Sequence, residues 1–154
     1  MADIILFAHP TFGVMAILAA LWVFVDALNA SALNQTRLRV AAGLVTFFMI
    51  SAWFAGGYWY VVWFPPEKAL ILAGPWPFAH DLFMETKEHL FFVPLILSLY
   101  LPIAVANDIV RNQGARRLVL VVAGLIVLNG LAIEGAGAVV NHGAKLALAG
   151  AHAR

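Results

Sequence analysis

The stretch LVLVVAGLIVLNGLAIEGAGAVV, residues 118–140, carries a single ionisable side chain, Glu134. It stays apolar for at least the roughly 20 residues that a helix needs to cross a bilayer. Three other runs read the same way: about Ile4 to Leu28, Leu38 to Phe64, and Leu90 to Ala106. Backbone polar groups in lipid have to be satisfied within their own segment, so these runs are expected as helices rather than strands. The prediction is an all-α integral membrane four-helix bundle. It forms a single transmembrane domain over 1–154, with helices at about 4–28, 38–64, 78–107 and 118–142.

The composition agrees. Of the 154 residues, 64% are hydrophobic and 11% charged, more apolar surface than a water-soluble domain of this size can hide. The absence of cysteine excludes disulfides, iron–sulfur clusters, thiolate metal sites and covalently attached haem. A net charge of +1 without a basic block gives no reason to expect a nucleic-acid partner. Met1-Ala2-Asp3 lacks the positive start of a signal peptide, so the first apolar run reads as a retained helix.

Connections between the runs set the expected orientation. Arg37 and Arg39 lie in or beside the first, and Arg111, Arg116 and Arg117 lie in the third. Basic residues favour the cytoplasmic side, so these loops are expected inside and both termini outside. A bacterial inner membrane with a site facing the periplasm is the corresponding localisation. The middle connection is mixed in charge. Pro65-Pro66 is expected to stop the second helix, Ala69–Ala73 to lie in the interface, and Pro77 to open the third helix. Tyr58, Trp59, Tyr60, Trp63 and Trp76 read as an aromatic belt on that side.

Depth can be counted from the presumed inner ends at ~1.5 Å per residue. His9 on the first helix, His89 on the third and Glu134 on the fourth all come out roughly 25 to 28 Å up. Gly56-Gly57 on the second falls at the same level. His80 and His142 sit further out, and His142, near the chain end, also reads as a solvated side chain. Asp81, Glu85 and His89 follow an i, i+4, i+8 spacing on one face, with Glu88 on the neighbouring face. Glu134 has no basic neighbour in sequence, and a carboxylate inside an apolar span marks a functional site by default.

Two imidazoles on separate helices at one depth, with small residues beside them, meet the requirements of haem b. His9 and His89 are the expected axial ligands, with Gly13 and Gly57 giving space for the ring. In helix number and histidine placement the chain resembles small four-helix membrane b-type cytochromes. That resemblance implies an electron-transfer subunit with one haem near the outer face. Quinol is then a candidate electron donor, and a periplasmic or membrane redox protein a candidate partner. A haem-free metal site is the alternative. His9, His80, Glu85, Glu88, His89, Glu134 and His142 offer the nitrogen and oxygen donors that copper, iron or zinc use. A third reading is a structural or assembly subunit of a larger membrane complex. No nucleophile–base constellation or phosphate loop supports an independent enzyme; an oxidoreductase subunit is the reading to expect if there is activity. Catalytic residues are not identified.

Overall fold

The computed structural model describes residues 1–152, and its regular structure is helical throughout. Helix α1 covers Ala2–Leu28, α2 Gln35–Val62, α3 Phe64–Ala73, α4 Glu85–Leu90, α5 Phe92–Ala106 and α6 Gln113–His152. A π-helical turn, Ala79–Met84, leads into α4, so that residues 79–106 make one rod with a break at Phe91. Four stretches are long and apolar enough to cross a membrane: Ala2–Leu28, Gln35–Val62, Ala79–Ala106 and Gln113–Ala151. Side chains such as Ile4, Phe7, Phe47, Val61, Ile96, Ile103 and Leu128 are exposed around the bundle. Helices that are apolar on their outward faces as well as their inward ones suit lipid rather than water.

α1 packs against α2 and α6, and α5 packs against the same two, closing a four-membered bundle. Small residues make the close approaches. Ala16, Ala19, Ala20 and Ala27 of α1 meet Ala41, Ala42 and Val45 of α2 in one buried cluster with Ala123 and Ile126 of α6. Gly130 admits Ile17: a Cβ there would stand 2.6 Å from Ile17 Cγ1. In lipid the hydrophobic effect does not drive helices together, and such backbone proximity supplies the dispersion contacts instead. Pro102 lies inside α5 and cannot donate to the carbonyl of Ser98. The Thr46 hydroxyl of α2 donates to that carbonyl at 2.6 Å, so a proline defect becomes an interhelical tie.

The structure differs from the expected boundaries in three places. Pro65 and Pro66 do stop α2 near Trp63, but they also occupy the first turn of α3, where a missing N–H costs nothing. The short apolar segment is therefore a helix of ten residues. The third span opens in a π turn. The fourth helix runs 40 residues, from Gln113 to His152, rather than 118–142. At ~1.5 Å per residue that is roughly twice the hydrocarbon thickness of a bilayer. Its extension is Ala-rich and has no proline to stop it. It packs with α3 and the π turn through a second buried cluster of Phe64, Ile71, Ala79, Met84, Val140 and Ala144. Two glycines permit this: Gly143 faces Ala79, and Gly74 faces Ala147.

Candidate functional site

The two ends of the bundle are built differently. At the α1–α2 loop, Asp26 is buried and saturated. It accepts from Arg37 Nε at 2.7 Å, from Arg37 Nη2 at 2.6 Å and from Trp22 Nε1 at 3.0 Å. Asn34 Nδ2 donates to the carbonyls of Asp26 and Asn29 at 3.1 and 3.0 Å, closing the turn. Arg116 reaches across from α6 to the last carbonyls of α1, at Ala27 and Leu28. Trp22 fixes the Asp26 carboxylate within α1, and the arginine and asparagine bonds tie the helix ends together.

At the other end lies a cavity of about 750 Å³, walled by all four spans and by α3. Most of its wall is apolar or aromatic, including Trp53, Trp59, Phe91 and Phe92. Into it project His9 from α1, Tyr60 from α2, Glu67 from α3, Lys87 and Glu88 from α4, and Glu134 from α6. A mostly apolar hollow with a few convergent polar groups is the usual form of a small-molecule site.

Glycines set the positions of three of these side chains. His9 lies over Gly56, where a Cβ would stand 2.5 Å from Nδ1. Its Nδ1–H donates to the Ala52 carbonyl at 2.9 Å, which fixes the tautomer and leaves Nε2 as an acceptor or ligand. The Glu134 carboxylate rests over Gly13, and the Lys87 ammonium over Gly137. Lys87 is electrostatically coupled to both Glu134 and Glu88 without a direct ion pair to either. Glu88 lies beside Tyr60, yet its Oε1 is buried with no hydrogen-bond partner among the described residues. Pro10 follows His9 and frees the backbone carbonyl of Leu6, which is itself on the cavity wall.

The residues singled out from sequence divide into groups. His9, Glu88 and Glu134 come together on the cavity. Gly57 opens onto it, and a Cβ there would meet nothing within 4 Å, whereas the room beside Gly13 is filled by Glu134. His89 is exposed, and its Nδ1–H donates to the carbonyl of Glu85 one turn back, at 2.7 Å. It is not on the cavity wall. Glu85 is half-buried and in electrostatic reach of Tyr60. His80 is buried, stacked on Phe64 at 6.0 Å and 13°, with Nε2 unpartnered and Nδ1 3.4 Å from Asp81. His142 is exposed, edge-on to Trp76. Among the described residues no group of three or more His, Asp or Glu side chains is gathered closely enough to hold a metal ion.

Lys87, Glu67 and Met84 are not among the candidate site residues of the sequence, and Tyr60 reads there only as part of the aromatic belt; all four reach the cavity. Lys87 belongs to the middle connection of mixed charge. The available signal was its spacing from Met84 and Phe91, at i−3 and i+4, which puts it on an apolar helix face. Comparison with known proteins returns no matching family model, no matching curated protein and no matching solved structure. The site therefore has to be read from its own chemistry.

Proposed function

We propose that the protein is a membrane electron-transfer subunit whose cavity binds a quinol-class molecule on the outer, periplasmic side of a bacterial inner membrane. The arginines at the opposite end support that orientation, with both termini outside. The observation that carries the reading is the meeting of His9, Lys87, Glu88 and Glu134, from three spans, inside an aromatic-walled cavity. A quinol combines a flat apolar ring with two hydroxyl groups. The ring suits the walls formed by Trp53, Trp59 and Phe91, and the hydroxyls can donate to His9 Nε2 and to a carboxylate. Oxidation of a quinol releases two electrons and two protons. Glu134, Glu88 and His9 are proton acceptors already in place, and Lys87 offsets the negative charge of the carboxylates. The electrons require an acceptor, either a haem or a redox centre in a partner protein.

Haem b is the second reading, and the geometry of His9 favours it. A metal-bound histidine usually has its other ring nitrogen donating to a carbonyl or carboxylate, as Nδ1 does here to Ala52. Met84, buried on the same cavity wall, or His89 after rotation away from Glu85, would be the other residue to hold the haem.

The test is to purify the protein in detergent, record its visible spectrum, extract it for quinones, and titrate it with a short-chain benzoquinol. Trp53 and Trp59 line the cavity, so binding should quench tryptophan fluorescence saturably. Gly56→Val, which displaces His9, should weaken binding by about tenfold or more, and Glu134→Gln should alter its pH dependence. A Soret band lost in His9→Ala would establish the haem reading. Absence of saturable quenching, or identical titrations in wild type and both variants, would remove the quinol site.

A further inference from the structure

A second groove, of about 460 Å³, lies between α3 and the far end of α6, bounded by Trp63, Leu70 and Lys145. Two residues, Glu67 and Asn141, are on the walls of both spaces. Glu67 stands in the first turn of α3 and is half-buried, and its carboxylate has no hydrogen bond or ion pair among the described residues. Tyr60 of α2 and Glu88 of α4 line the first cavity, the latter with a buried oxygen that has no hydrogen-bond partner among the described residues.

We propose that the two spaces join between Glu67 and Asn141 and that this junction is the aqueous port of the membrane cavity, through which protons move between the buried groups and the outer surface, with Glu67 as the side chain that carries them. The direction of proton release rests on the quinol reading, whereas the port does not.

A proton cannot leave an apolar cavity as a bare ion, because a charge in low dielectric is too costly. It needs a group at the mouth that alternates between neutral and charged forms. Glu67 fits that position. Burial pushes its carboxyl above the usual carboxylate range, and no neighbouring charge contributes to the displacement. The charged and titratable groups on the walls of the two spaces are Asp3, His9, Tyr60, Lys87, Glu88, Glu134 and Lys145, with Lys68 next to Glu67 on α3. A neutral Glu67 can sit at the junction, and an ionised one can turn to the groove where Lys145 stands.

The chain has no cysteine, so one introduced thiol reports without background. Val140 is buried on the cavity wall and close to cysteine in size. In Val140→Cys, a charged, membrane-impermeant thiosulfonate applied from the outer side should label the thiol. Added Glu67→Trp should slow labelling by about tenfold or more, because reaction requires access to the thiolate. Asn141→Trp should do the same from the opposite wall, with circular dichroism and size-exclusion confirming that each variant is folded. Inert Val140→Cys, or a labelling rate indifferent to both tryptophans, would overturn the port. For the carrier, the infrared carboxyl band lost in Glu134→Gln should follow a pH jump about tenfold more slowly in Glu67→Gln than in wild type. No response of that band, or equal rates, would overturn the role of Glu67. Failure to bind benzoquinol while labelling still depends on positions 67 and 141 would remove the quinol reading and leave the port standing.

Discussion

The Asp26 end and the cavity end of the bundle use the same kinds of residue to opposite effect. At the first, a buried carboxylate accepts three hydrogen bonds, and an arginine and an asparagine cap the neighbouring helix termini. At the second, Glu88 has an oxygen with no partner, and Glu134, Lys87 and Glu67 face a hollow. Burial of polar groups is costly unless they are satisfied, so the first arrangement lowers the energy of the fold and the second raises it. Such unsatisfied groups are retained where something else uses them. The contrast separates the part of the molecule that holds the helices in register from the part that is available for a ligand.

The all-or-none test concerns which end faces which side. A single cysteine at Ser31, beside the Asp26 cluster, should resist an impermeant thiol reagent in intact cells, while one at Ala151 should react. The reverse pattern would turn the molecule over and place the cavity at the cytoplasmic face.

A graded test compares the two ends by stability. Asp26→Ala leaves Arg37 and Trp22 without their acceptor and should lower the Tm in detergent by roughly 5 to 10 °C. Glu134→Gln removes a carboxyl that has no hydrogen-bond partner among the described residues and should leave the Tm unchanged or raise it. Equal losses in the two variants would mean that the cavity carboxylate is structural after all, and the division into two ends would collapse.

The smallest expected effect is on pH dependence. The Glu67 carboxyl is raised in the folded state, so the folded chain binds more protons than the unfolded one just above the usual carboxylate range. Stability should therefore fall as pH rises through that window, and Glu67→Gln should flatten the slope. A difference of roughly 2 °C in Tm between the ends of the window would be enough to detect it. An unchanged slope would show that Glu67 is as well solvated folded as unfolded.

Much of the fold was legible because lipid imposes a strict rule on sequence. A span must be apolar for a fixed length, and its backbone must be helical, so four runs such as 118–140 announce themselves without any tertiary information. His9 and Glu134 were legible for the same reason, as polar groups that an apolar span does not carry without cause. Lys87 and Tyr60 were not. Charges and tyrosines are ordinary near a membrane surface, and nothing local distinguishes those that turn inward. Counting residues along a helix gives a depth but not a direction. His89 stands near the counted level, yet its ring bonds back to Glu85 and is exposed.

The sequence alone determined that this chain builds four apolar helices, which of its residues are out of place in lipid, and where prolines interrupt the spans. Tertiary structure decided which of those residues meet. Gly13, Gly56 and Gly137 each receive a side chain from another helix. A glycine in one span records only that space exists, and the helix packed against it determines what fills that space. The Thr46–Ser98 tie, the cavity and the wall that Glu67 and Asn141 share between two spaces arise in the same way. Each needs the rotation of one helix relative to another, a quantity that one-dimensional periodicity leaves open when a helix is apolar on every face.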